Sequence, residues 1–247
     1  MTATPDSRPA GRNIADRHIA DRHIVVRHVD RAGPDIVRGL GAAGAATVHE
    51  AIGRRGYLGP EITPIQGGAR VGGSAVTVLS HPGDNGMVHA AVEVCQPGDM
   101  LVVACTAPST HGMFGDLLAS SLMARGVVGL VMDAGVRDVA DLTQMGFPVW
   151  TRHVSCQGTV KNTPGSVNVP ISIGGVIIEP GDVIAADDDG VVAVPRLEAE
   201  WGLEQSNRRL ANEMETRGRL EAGELGLDFY GLRDKLQAMG VEWVDHQ

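Results

Sequence analysis

Apolar residues along this chain fall in short blocks separated by glycine-rich turns, and the blocks predict helices and strands in alternation. Residues 35–49 read as one helix with a small-residue centre. Residues 71–79, VGGSAVTVL, read as a strand interrupted by Gly72 and Gly73. Residues 85–95, NGMVHAAVEVC, space their apolar positions as an amphipathic helix, with His89 and Glu93 as a surface pair one turn apart. The runs 100–104 and 127–132 are continuously apolar, the pattern of buried strands. Between them, 117–125 is helical up to Gly126, which can close a helix in the left-handed conformation. A further helix over 139–145 ends at Gly146, and 147–150 starts another strand. Strands and turns alternate from 167 to 195. There the three aspartates Asp187, Asp188 and Asp189 precede Gly190 between two apolar runs, which reads as a hairpin turn.

The C-terminal pattern differs. Residues 197–223 are charged and helical, with only Leu203, Leu210 and Met214 as an apolar seam, and 225–244 carry Leu227, Phe229, Tyr230, Leu232, Leu236 and Trp243. Such a seam suggests packing on a neighbouring subunit. At the other end, 1–23 is polar and holds the duplication ADRHI. His18, His23 and His28 recur every fifth residue, a spacing that suits neither one helical face nor one strand face. The chain therefore divides into a flexible arm (1–23), an α/β domain (24–196) and a helical extension (197–247).

Composition excludes several classes. The 43% of hydrophobic residues can fill a core, although aromatics are only 3% and glycines number 33, which implies many tight turns. A formal net charge of −9 argues against a nucleic-acid-binding surface. Three cysteines, Cys95, Cys105 and Cys156, without a CxxC spacing read as reduced thiols of a cytoplasmic protein. No apolar run approaches the roughly 18 residues of a membrane span. GxGxxG after a strand is absent, which disfavours a dinucleotide site.

Candidate chemistry concentrates in 115–138, GDLLASSLMARGVVGLVMDAGVRD, which reads as turn, helix, strand, turn. Asp116 suits an N-cap, leaving the Leu117 and Leu118 N–H groups without intrahelical partners at the positive end of the helix dipole. Those amides can seat an anion. Arg137 offers a fork of donors to the same anion, and Asp138 is a hard oxygen ligand of the kind Mg²⁺ takes. Taken singly, Asp116 reads equally as a cap, and Arg137 and Asp138 as the start of the next helix.

The spacing Asp116, twenty residues, Arg137-Asp138 resembles the mark of the metal-dependent, class II pyruvate aldolases. Those enzymes cleave 4-hydroxy-4-methyl-2-oxoglutarate and 4-carboxy-4-hydroxy-2-oxoadipate, and share a fold with the regulator of ribonuclease activity A. The resemblance extends through ATVHEAIGR (46–54), GDN (83–85), GDLLASS (115–121) and GFPVW (146–150). It continues through GTVKNTPGSVNVPI (158–171), PGDVIAADDDGVV (180–192) and AGELGLDFYGLR (222–233). The last is most similar to the branch acting on 4-carboxy-4-hydroxy-2-oxoadipate in aromatic-acid catabolism. Residues 109–113, STHGM, depart from the family's glycine- and aspartate-containing approach to GDLL, at a place concerned with the substrate's distal contacts.

The resemblance implies a three-layer β/β/α swivelling-type domain with a C-terminal helical extension, assembled as a homotrimer or a dimer of trimers with sites between subunits. It implies Asp138 as the ligand of Mg²⁺ or Mn²⁺, and Arg137 on the carboxylate and keto oxygen of a small 2-oxo acid. Leu117 and Leu118 would supply amides to that carboxylate, and Asp116 would order the proton-carrying water. Glu213, or Glu215 beside it, would reach in from a neighbouring subunit. The implied reaction is retro-aldol cleavage to pyruvate, with oxaloacetate decarboxylation as a side activity. The alternatives are a non-enzymatic inhibitor of a ribonuclease complex, or a lyase acting on a different 2-oxo acid in biosynthesis.

Overall fold

A computed structural model describes residues 23–245; the 1–23 arm, with His18, therefore lies outside it except for its last residue. Helices α1 (Pro34–Ala43) and α2 (Ala45–Ala51) lead into strands β1 (Thr63–Pro64) and β2 (Val71–Ser80). Helix α3 (Gly86–Val94), strands β3 (Asp99–Cys105) and β4 (Gly112–Phe114), helix α4 (Asp116–Met123) and strand β5 (Gly129–Val136) follow. Then come α5 (Val139–Met145), β6 (Val149–Val154), β7 (Ser166–Val167), β8 (Ile171–Ile173) and β9 (Val176–Ile178). The hairpin β10 (Val183–Asp187) and β11 (Gly190–Val194) precedes α6 (Ala199–Glu221), α7 (Gly226–Phe229) and α8 (Leu232–Ala238).

The main sheet runs β1-β6-β5-β3-β2-β10-β11, with β4 on β5 and β7 on β2. Pairings β2–β3, β3–β5 and β5–β6 are parallel, because a helix crosses over between each pair. The sheet nearly closes into a barrel, because one segment serves both edges. Leu58 donates to Val191 on β11, while Thr63 and Pro64 pair with β6. Trp150 fills the interior and donates its indole N–H to the Asp187 carbonyl at 2.8 Å. On the outer face α3, α4 and α5 bury Val88, Ala91, Leu118, Leu122 and Leu142 against the parallel strands. The β8–β9 ribbon covers the other face through Ile171, Ile173 and Ile178. These are the three layers, β/β/α, expected.

Three expectations change. The helix over 35–49 is two helices, because Gly44 at φ 88° and ψ 153° takes a conformation that only glycine adopts easily, and the chain turns there. The freed Ala45 N–H is taken by Asp187 Oδ2 at 2.9 Å. The strand over 127–132 runs on to Val136, since Ala134 and Val136 are also buried. The apolar seam of the long helix lies nearer its start: α6 buries Ala199, Gly202 and Ser206, while Leu210 and Met214 are exposed. Gly72, by contrast, behaves as a close-approach glycine, since a Cβ there would stand 2.1 Å from the Val37 carbonyl of α1.

Candidate active site

Strands β4 and β5 pair Gly112 with Gly135 and Phe114 with Val136. The ladder continues one step beyond, as Arg137 N–H donates to the Phe114 carbonyl at 2.8 Å. That pairing sets the start of α4 beside Arg137 and Asp138, although a helix and a strand separate them in sequence. Asp138 Oδ2 lies 3.4 Å from the Asp116 N–H nitrogen and 3.4 Å from Arg137 Nε.

Two backbone features make this convergence possible. A Cβ on Gly115 would stand 2.1 Å from Asp138 Oδ2, so only glycine admits the carboxylate. Gly115 itself is extended, so contact and not strain excludes a side chain. Asp138 is left-handed at φ 58° and ψ 38°, a region that costs a non-glycine residue roughly 1 kcal/mol. It occupies the N-cap position of α5 without capping it; its carboxylate turns back towards Arg137. Asp116 is not the cap expected at α4. Gly115 holds that position, no side chain caps the helix, and Asp116 is its first residue. The Leu117 and Leu118 N–H groups therefore keep their place in the first turn, with no intrahelical acceptor. Leu118 is anchored in the core while Leu117 is 79% exposed.

A cavity of about 240 Å³ opens beside this turn. It is lined by Asp116, Leu117, Leu118 and Arg137, by Asn85 and His89 at the start of α3, and by Thr159 and Lys161 of the loop between β6 and β7. Arg137 also lines an adjoining cleft with Asp138, Ser155 and Cys156. Arg137 thus lines both the cavity and the cleft that holds the carboxylate. Burial first, and then Lys161, lowers the His89 pKa.

The loop wall is held by Asp84, which is 1% exposed. Its carboxylate accepts the N–H groups of Gly86, Asn162 and Thr163 at 2.8, 2.6 and 2.7 Å. Burial pushes this carboxyl upward, but those three donors and His81 outweigh it and hold it below the usual carboxylate value. Burial pushes the Cys95 and Cys105 thiols up to about 12, which makes them unreactive near neutrality.

Glu213 stands elsewhere. It pairs with Arg209 at 2.8 Å in a groove that also holds Tyr230, and Glu215 is exposed on the same helix. Within one chain neither joins Asp116, Arg137 and Asp138. The aspartates at 187–189 form the expected hairpin, with Asp187 opposite Gly190, and their oxygens go to the Ala45, Gly68 and Asp189 amides. Among the described residues, no three His, Cys, Asp or Glu side chains gather as a metal cluster. The donor set at Asp138 still fits a hard divalent ion, since Mg²⁺ is commonly held by one or two carboxylates with water and substrate completing its shell. The Asp138 side chain is 31% exposed, so water reaches that carboxylate.

Sequence reasoning gave no role to Asn85, Lys161 or Asp84, although GDN and GTVKNT contain them. The available signal was the glycine pair Gly112 and Gly115 bracketing β4, which marks a backbone approached closely from outside.

Comparison with known proteins bears on this site. A family model described as RraA-like, Aldolase/RraA, matches residues 45–193. A protein of Halalkalibacterium halodurans named "Putative 4-hydroxy-4-methyl-2-oxoglutarate aldolase" is 34% identical over 152 residues, 62% of this chain and 72% of that one. A Burkholderia multivorans protein of the same name is 34% identical over 142 residues, 58% of this chain and 86% of its own. Among solved structures, Streptomyces coelicolor RraAS2, described as an unusual member of the RNase ES inhibitor RraA family, superposes with a TM-score of 0.69. It is 31% identical, and the match covers 76% of this chain and all (100%) of that one.

Proposed function

The chain belongs to the RraA-like family, and from that premise we propose that it is a divalent-metal-dependent aldolase. It cleaves a 4-hydroxy-2-oxo acid, of the class of 4-hydroxy-4-methyl-2-oxoglutarate or 4-carboxy-4-hydroxy-2-oxoadipate, to pyruvate and a second 2-oxo acid. The observation that carries this reading is the convergence of Asp116, Arg137 and Asp138 at the mouth of α4.

Asp138 would hold Mg²⁺ or Mn²⁺, which when bound would supply Lewis-acid polarisation of the 2-oxo group. The Leu117 and Leu118 amides seat the substrate carboxylate with the helix dipole behind them. Asp116 orders a water that takes the C4 hydroxyl proton. The C3–C4 bond breaks and its electron pair passes into the C2 carbonyl, while C4 leaves as the carbonyl carbon of the second 2-oxo acid. Negative charge then grows on the keto oxygen facing Arg137, the electrostatic stabilisation that commonly contributes most to catalysis. A proton returned to C3 completes pyruvate. An imine route would need an amine, and Lys161 lines the cavity, so experiment must separate the two routes. Borohydride treatment with pyruvate separates the two routes: the metal-dependent route leaves no reduced adduct.

The test is pyruvate release from a panel of 4-hydroxy-2-oxo acids, with Mg²⁺ and with excess chelator. Release that stops on chelation and returns with Mg²⁺ or Mn²⁺ supports the reading; full activity in chelator contradicts it. The second reading, a ribonuclease inhibitor, is favoured by the likeness to RraAS2. It predicts inhibition that survives Asp138→Ala.

A further inference from the structure

We infer that Asn85 reads the substrate's hydroxyl group, so that the cavity selects hydroxylated 2-oxo acids over those without a hydroxyl. This rests on the aldolase reading and adds a residue to it. Asn85 is the N-cap residue of α3 and is 7% exposed. An asparagine at that position ordinarily turns its oxygen onto an amide of the first helical turn. Here it does not, and no side-chain cap bond forms. The Val88 N–H, which such a cap could take, goes instead to the Asn85 backbone carbonyl at 3.1 Å. The Asn85 amide nitrogen is committed to the Met113 carbonyl at 3.1 Å, which fixes which way round the amide lies. Its oxygen is left buried with no partner among the described residues, in a side chain that lines the cavity. A buried acceptor without a donor is unfavourable, and a ligand that brings a donor removes that penalty.

The chemistry of the substrate identifies the donor. At neutral pH the carboxylates and the keto oxygen of a 4-hydroxy-2-oxo acid are all acceptors. The C4 hydroxyl is the sole donor in the molecule, so it alone matches the Asn85 oxygen. Arg137 and the α4 amides, which line the same cavity, take the 2-oxo carboxylate. One end of the substrate is thus held by donors, and the hydroxyl by an acceptor. Asparagine cannot accept the proton that leaves during cleavage, so this hydrogen bond belongs to the bound substrate and is given up as the proton departs. Its loss therefore raises KM without lowering kcat, and leaves kcat/KM nearly unchanged.

The experiment compares a hydroxylated substrate with oxaloacetate, which carries no C4 hydroxyl, in wild-type protein, Asn85→Ala and Asn85→Asp. In Asn85→Ala the ratio of KM for the hydroxy acid to KM for oxaloacetate is expected to rise about tenfold. Both substrates share any damage from the lost Met113 contact, so the ratio reports the hydroxyl alone. Asn85→Asp, which keeps an acceptor oxygen, is expected to restore the ratio towards wild type. Should the variants fail to fold, wild-type protein answers alone. A 2-oxo acid identical but for the missing hydroxyl should then inhibit with a constant about tenfold above the KM of its hydroxylated counterpart. An unchanged ratio, a loss confined to kcat, or equal affinity for the paired acids overturns the inference. Wild-type protein that cleaves no hydroxylated acid overturns the aldolase reading, and this inference with it.

Discussion

At position 115 one added carbon is enough to disturb the site. A Cβ there would lie 2.1 Å from Asp138 Oδ2 and 3.2 Å from Arg137 Cγ, so Gly115→Ala must push the carboxylate or the guanidinium away. Displacement of a reacting geometry by about 1 Å costs on the order of 100-fold in rate. Gly115→Ala is therefore expected to lose about that much kcat/KM. Because the backbone there is extended, thermal unfolding should shift by only a few degrees, about what 1 kcal/mol produces in a domain of this size. Steady-state kinetics beside a melting curve checks both halves. The sequence already singled out Asp116, Arg137 and Asp138, because their residue types and spacing suit an anion and a hard cation. It did not show that Asp138 is left-handed or that Asp116 follows the cap. Both depend on how β4 lies against β5, which no local pattern encodes.

At the scale of elements, the site is a parallel strand pair, a helix start and a loop tied down by Asp84. Its carboxyl is held below the ordinary value, so the stabilisation is present above the unfolded value of about 4 and is lost as pH falls through the lowered folded value. Asp84→Asn removes a charged acceptor from three N–H donors and is expected to cost about 1–3 kcal/mol at pH 7. Its stability should also depend less on pH below about 4 than that of the wild type. Chemical denaturation at several pH values measures this. Elements with strong apolar runs were legible: β2, β3, α3, α5 and the β10–β11 hairpin lie where the pattern set them. The break at Gly44 was not, since a small-residue helix and two helices meeting at a glycine have the same composition. The α6 seam was misplaced because Gly202 and Ser206, small enough to pack closely on α1 and α2, do not register as apolar.

At the scale of the whole molecule, no described residue after Ser206 is buried, although Leu210, Met214, Leu220, Tyr230 and Trp243 all follow it. The segment packs on itself, with the Arg219 guanidinium 4.1 Å over the Phe229 ring and the Arg233 guanidinium 5.4 Å from the Trp243 ring. We propose that this extension docks on a second copy of the chain and carries Glu213 to that copy's Asp138. Mixing inactive Asp138→Ala subunits with inactive Glu213→Ala subunits should then restore part of the activity, since mixed assemblies contain some intact sites. No recovery after verified subunit exchange would place the whole site in one chain.

In the proposed mechanism Asp138 and Arg137 stabilise a pyruvate enolate while Asp116 manages the proton of the C4 hydroxyl. Oxaloacetate presents the same 2-oxo carboxylate and, on losing carbon dioxide, gives the same enolate without any hydroxyl proton to remove. A site complementary to that enolate accelerates both reactions. The most direct measurement is the rate of aldol cleavage beside the rate of oxaloacetate decarboxylation in wild type, Asp116→Asn and Asp138→Ala. Asp138→Ala is expected to abolish both, and Asp116→Asn to lower cleavage far more than decarboxylation. Wild-type protein that cleaves the aldol yet leaves oxaloacetate untouched, or an Asp138→Ala variant that retains either activity, would contradict the proposed mechanism.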